Sequence, residues 1–231
     1  MEGYRITRVL FANVSGFLAW NEKTCILIDT GHTSTVHKLE KVLERIGKTP
    51  RDIRLIILTH THFDHAGGAA EIKKLTGAPL AVHSAEASFL EKGRTPFPRG
   101  TRWKAKALYY LGNTLARRMA SYPALKPDIL VDEMLDLAPF GIEGRIIHTP
   151  GHTAGSLSIL FPDHKAMVGD NLLGIPGKPC YPPFANDRPG VFRAWDLYID
   201  EGIKELYPAH GNKVQISRLS EEMPGAMKRY L

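Results

Sequence analysis

Six consecutive residues, His60-Thr61-His62-Phe63-Asp64-His65, follow directly on the apolar run Leu55-Ile56-Ile57-Leu58. Four side chains able to hold a metal lie in that hexapeptide, and a fold that accommodates it must carry it from a buried strand into a loop. Imidazole and carboxylate are borderline to hard donors that suit zinc, manganese or iron. In an extended chain, alternation sends His60, His62 and Asp64 to one side, while His65 steps round the turn. Four donors exceed what one catalytic zinc with an open position takes, so the segment implies a second ion and further donors elsewhere.

Three later positions share the same grammar of a strand followed by a turn. His152 lies in Thr149-Pro150-Gly151-His152-Thr153, where Pro and Gly set a sharp turn after a strand. Asp170 follows Gly169, and His210 follows Pro208-Ala209. Any one of them alone reads as an ordinary hydrogen-bonding group at a strand end. Together with the hexapeptide they read as the missing donors.

The pattern of apolar residues predicts strands over residues 4–10, 14–20, 24–29, 53–59 and 79–82. A second set is predicted over 129–131, 134–137, 142–148, 156–161 and 166–168. Helices are predicted over about 33–46, 69–75, 85–90, 103–119 and 190–204, the last of these being the final helix. Two runs of strands interspersed with helices predict an α+β architecture, two mixed sheets packed face to face with helices outside. The 231 residues fit one domain.

The net charge of +6 is concentrated. Between Leu90 and Lys126 there are nine basic residues and one acidic one, Glu91, so the remainder is slightly acidic. This stretch, about 90–128, reads as a basic helical insertion between the two halves. It can serve as a lid, a homodimer surface or a solvated face. As a lid it would select an anionic or acyl small molecule through Arg117 and Arg118, with Trp103, Tyr109, Tyr110 and Leu111 giving apolar contact. A localised patch does not suggest a nucleic-acid-coating protein. No apolar stretch approaches a membrane span, and Met1-Glu2-Gly3 begins without a basic leader, so a cytoplasmic location is expected. Cys25 and Cys180 do not suggest a disulfide framework.

In order and spacing these residues resemble the metallo-β-lactamase superfamily, whose H-x-H-x-D-H motif is matched by His60, His62, Asp64 and His65. The family's later histidine, aspartate and histidine are matched by His152, Asp170 and His210, and its early Asp-Thr-Gly turn by Asp29-Thr30-Gly31. The resemblance implies a four-layer αβ/βα sandwich with a dinuclear site at one sheet edge. It implies that His60, His62 and His152 hold one ion, that Asp64, His65 and His210 hold another, and that Asp170 bridges them. Zinc is the expected metal, with iron or manganese as alternatives, and Asp29 is expected to orient a ligand without touching metal. Tyr181, in a Pro-rich loop, matches the place where some lactone-cleaving relatives put a tyrosine that assists the carbonyl oxygen; aromatic packing is its other reading.

The implied activity is metal-dependent hydrolysis of a small ester, lactone or thioester, with Asp64 and Asp170 in the catalytic site. Only 21 residues follow His210, which disfavours the glutathione thioesterases with a helical C-terminal domain. An iron-dependent sulfur dioxygenase and a phosphodiesterase on the same scaffold stay open as alternatives.

Overall fold

Alternating and continuous aliphatic runs form the strands, and the pairing of those strands sorts them into two sheets. In the computed structural model, which describes residues 3–114 and 120–231, the chain opens with β1 (Arg5–Phe11), β2 (Val14–Trp20) and β3 (Cys25–Ile28). Helix α1 (Val36–Arg45) then crosses to β4 (Ile53–Ile57). The single turn α2 (Phe63–Ala66) and helix α3 (Ala69–Thr76) lead to β5 (Leu80–His83), α4 (Ser84–Glu91), α5 (Trp103–Asn113) and β6 (Ile129–Val131). These six strands form one mixed sheet in the order β1-β2-β3-β4-β5-β6, antiparallel over the first three and parallel from β3 onward.

The second sheet uses β7 (Met134–Asp136), β8 (Arg145–His148), β9 (Leu157–Phe161) and β10 (Lys165–Gly169), followed by helix α6 (Arg188–Asp200). Strands β11 (Glu205–Pro208) and β12 (Val214–Gln215) and helix α7 (Ile216–Tyr230) complete the described chain. Its order is β12-β11-β10-β9-β8-β7, and only β10 and β11 run parallel.

Side-chain alternation decides the layering. Phe17, Ile26, Ile28, Leu55 and Ile57 of the first sheet pack with Ile146, Leu157, Ile159 and Met167 of the second, so the two sheets share a face. The opposite faces carry helices. Leu18, Leu27, Ile56 and Leu80 meet Leu39 and Leu43 of α1 and Ile72 of α3. Val168 and Leu206 meet Val191, Trp195 and Tyr198 of α6 and Leu219 and Met223 of α7. Each fully buried aliphatic side chain of this kind contributes about 1.5–3 kcal/mol. The expected αβ/βα sandwich is what forms.

Two expectations need correction. The basic stretch does not separate the two halves: β6 pairs in parallel with β5, so the stretch lies inside a crossover between neighbouring strands of the first sheet. The helix at Arg188–Asp200 is not the final one, since α7 follows it. Pro224 inside α7 disrupts the helical signal there, because proline lacks an N–H and crowds the carbonyl four residues earlier. Tyr230, near the end of α7, is tied back to the body: its hydroxyl accepts from Arg102 Nε (2.8 Å) and its carbonyl from Arg188 Nη1 (3.3 Å). Arg117 and Arg118 lie outside the described residues.

Candidate metal centre

All four segments singled out for donors leave strand ends at one edge of the sandwich. Strand β4 runs into the loop bearing His60 and His62, and there the chain stops being extended. His62 precedes α2, so Asp64 and His65 sit on a helical turn. The expected common side for His60, His62 and Asp64 is therefore replaced by a split. His60 and His62 converge with His152, whereas Asp64 and His65 converge with His210, in groups whose donor atoms lie within 4.8 Å of one another. Asp170 joins His60 and His65 in a third such group.

Asp170 faces both trios. Its Oδ1 is 3.4 Å from His65 Nε2 and 3.6 Å from His210 Nε2, while its Oδ2 is 3.6 Å from His152 Nε2. On the other side of the second trio, Asp64 Oδ2 is 3.3 Å from His210 Nε2. Gly169, at φ 51°, lets the chain turn into Asp170 where a Cβ would meet the Thr59 side chain at 2.8 Å.

Every histidine of the cluster is anchored through its other ring nitrogen. His65 Nδ1 bonds Asp29 Oδ2 (2.9 Å), and the same carboxylate accepts from Thr59 N (2.8 Å) and Thr59 Oγ1. His60 Nδ1 lies 3.2 Å from Thr59 Oγ1. His62 Nε2 points to Pro96 O (3.3 Å), His152 Nδ1 to Phe184 O (3.0 Å) and His210 Nδ1 to Asn13 O (3.1 Å). A carbonyl only accepts, so these three contacts fix an N–H outward and turn the other ring nitrogen toward the centre.

Burial pushes the His62 and His152 imidazoles down to about 4, and burial plus neighbouring imidazoles holds His60 well below its ordinary value. These rings are neutral near pH 7. His62 Nδ1 and His152 Nε2, 3.0 Å apart, then present two lone pairs to each other. That contact repels unless a cation sits between them. His60 Nε2, His65 Nε2 and Asp170 Oδ1 are likewise buried without a hydrogen-bond partner among the described residues. A donor set of this kind fits divalent metal.

The second trio differs in charge. Burial opposes protonation of His65 and His210, but the carboxylates around them prevail: Asp29, Asp170 and Asp64 hold His65 well above its usual value, and Asp170 and Asp64 raise His210 to about 9. Asp64 and Asp170 are held below the usual carboxylate range: burial opposes this, and the His65 and His210 imidazoles outweigh it.

Tyr181 is not brought into the cluster by any hydrogen bond or ring contact. It is buried, stacked on Tyr230 (4.0 Å between centroids, 10°) and Phe192 (5.1 Å), and edge-on to Trp195. Its hydroxyl has no hydrogen-bond partner among the described residues. Sequence reasoning also missed Glu86, which is buried and accepts from Thr61 N (3.1 Å), Thr61 Oγ1 and Gly155 N (3.3 Å). It ties the hexapeptide to the turn that bears His152. The carbonyls of Pro96, Phe184 and Asn13 were missed too, since a main-chain acceptor leaves no mark in sequence. His83 caps α4 by accepting from Ala85 N, and Ser156 Oγ accepts from Thr153 N.

Residues 10–210 match the sequence profile of the metallo-beta-lactamase superfamily. The chain is 27% identical to lactamase-like protein aptB of Emericella nidulans over 98% of its own length and 61% of that protein's. It is 29% identical to the probable metallo-hydrolase MJ0888 of Methanocaldococcus jannaschii over 82% of this chain and 84% of that one. Acyl-coenzyme A thioesterase MBLAC2 of Gallus gallus is 27% identical over 75% of this chain and 61% of its own. The chain thus spans about six-tenths of two of these three relatives. Among solved structures, BLEG-1 B3 metallo-beta-lactamase superposes with a TM-score of 0.71 at 21% identity, covering 96% of this chain and 99% of that one. A metallo-beta-lactamase family protein from Thermus thermophilus, TTHA1429, gives 0.70 at 23%, covering 98% and 79%.

Proposed function

Because this chain belongs to the metallo-β-lactamase superfamily, we propose that its histidine–aspartate cluster holds two divalent ions and that the protein is a metal-dependent hydrolase of a small ester, lactone or thioester. His60, His62 and His152 would hold one ion, Asp64, His65 and His210 the other, with Asp170 shared between them. The observation that carries this reading is the pair of inward lone pairs on His62 and His152, 3.0 Å apart. When bound, such ions activate water near neutral pH and polarise a carbonyl oxygen. Everything else falls to the chain. Asp29 fixes the His65 ring, and the carbonyls of Pro96 and Phe184 fix those of His62 and His152. Asp170, with one oxygen toward each trio, sets the spacing between them. Asp64 and Asp170 supply the negative charge that offsets part of the cationic load and leaves the centre attractive to an electron-rich carbonyl.

Zinc fits the nitrogen-rich donor set best, with iron and manganese next. The test is metal quantification on protein purified without chelators, then turnover of lactones, thioesters, simple esters and a chromogenic phosphodiester by the same sample. Two zinc-like ions per chain and chelator-sensitive acyl hydrolysis are expected. One iron per chain with oxygen consumption would instead identify a dioxygenase, and turnover of the phosphodiester alone would identify a phosphodiesterase.

A further inference from the structure

A cleft of about 270 Å³ opens beside the first trio, with His62 in its lining. Its walls mix apolar side chains, Phe89, Pro96, Phe97 and Ala154, with the neutral polar ones of Thr95, Thr153 and Asn186. Among the described residues one cation lines it, Arg99, and one carboxylate, Glu86. The two are not equivalent. Glu86 is 1% exposed and its oxygens are already occupied by Thr61 and Gly155. The Arg99 side chain is exposed and has no ion pair or hydrogen bond among the described residues.

Arg99 is nonetheless held in place by its backbone. Its N–H donates to Asn186 Oδ1 (2.9 Å), and its carbonyl accepts from Ala185 N (2.9 Å). The next residue, Gly100, bridges to Phe184, whose carbonyl anchors His152. Asn186 N in turn donates to His152 O (3.1 Å). Arg99 and the first trio therefore share one short hydrogen-bonded frame. A guanidinium without a partner among the described residues, on a backbone tied to the first trio and lining the same cleft as His62, is suited to hold one end of a substrate while the other end reacts.

We infer, building on the hydrolase reading above, that the cleft selects short acyl esters or thioesters carrying a second, anionic group remote from the scissile carbonyl, and that Arg99 is the residue that binds this group. The guanidinium fork accommodates a carboxylate or a phosphate-like group, and the cleft volume suits a short acyl chain more than a long one.

The test compares the 4-nitrophenyl monoester of adipic acid with 4-nitrophenyl hexanoate, matched in chain length, on the metal-loaded protein. A third probe, the 4-nitrophenyl ester of 5-phosphonopentanoic acid, distinguishes the two anions. At least one anionic ester is expected to exceed hexanoate in kcat/KM by roughly tenfold, mostly through KM, with the advantage shrinking as salt is added. Arg99→Met should bring that ratio toward one, and Arg99→Lys should keep part of it. An unchanged ratio in Arg99→Met, or no anionic advantage while hexanoate is turned over, overturns the inference and leaves the hydrolase reading standing. Calorimetric binding of adipate separates the reverse case. Arg99-dependent binding without turnover of any ester keeps the subsite and removes the hydrolase. Binding indifferent to Arg99, again without turnover, removes both.

Discussion

At the scale of single residues, the cluster depends on groups that touch no metal donor's inner face. Asp29 holds His65 by Nδ1 and also fixes Thr59, from a backbone φ of 59° that few non-glycine residues adopt. Asp29→Ala is expected to weaken metal uptake at the second trio by roughly 10–100-fold, measured as metal retained after dialysis against a graded chelator. The first trio should lose less, since it reaches Asp29 only through Thr59 and His60. Tyr181 allows the opposite kind of test. Its hydroxyl is buried inside an aromatic stack without a partner among the described residues, so Tyr181→Phe should leave melting temperature unchanged or raise it, and turnover should stay within about twofold. A tenfold loss of kcat with full metal content would return the hydroxyl to the reaction. The donors were legible because histidine and aspartate after a strand are rare, chemically marked residues. Glu86 was not, because a glutamate on a short helix looks solvated until the fold turns it inward.

Among elements, the crossover between β5 and β6 does more than connect strands. Pro96 O holds His62, and Gly100 docks against Phe184, so this basic stretch helps build the first trio. At Gly100 a Cβ would meet Ala105 C and Lys106 N at 2.2 Å, leaving no room for a side chain. Gly100→Val should undock the stretch, lower the affinity of the first trio for metal and raise KM, while the far-UV circular dichroism stays native. Chelator titration and steady-state kinetics read both effects. Strands of continuous aliphatics and the helix at 36–45 were readable from pattern alone. The two-residue β12 is too short to carry a period, and α7 hides behind Pro224. The placement of the basic stretch required knowing that β6 joins the first sheet, a long-range pairing that local pattern does not encode.

For the whole molecule, the two trios impose opposite pH dependences on the metal-free protein. His62 and His152 are depressed to about 4 from an ordinary 6.5, so stability is lost as pH falls through that interval. His210 is raised to about 9 and His65 is raised as well, so their contribution is full below 6.5 and is lost as pH climbs toward 9. Melting temperature of chelator-treated protein should therefore peak near pH 6.5. Metal takes the place of the protons on the second trio, so loading at pH 7 should release about two protons per chain, measurable by calorimetry in buffers of different ionisation heat. A flat melting profile with no proton release would mean that the second trio does not titrate as the carboxylates around it require.

The knot at Tyr230 reaches further than its position suggests. Its ring lies under Tyr181, its hydroxyl takes the Arg102 guanidinium and its carbonyl takes that of Arg188, so stretches far apart in sequence meet on one residue of α7. Arg102 stands three residues past Arg99. A substitution at Tyr230 that loosens this knot would thus be felt at the mouth of the cleft, by way of Arg102 and the backbone that carries Arg99.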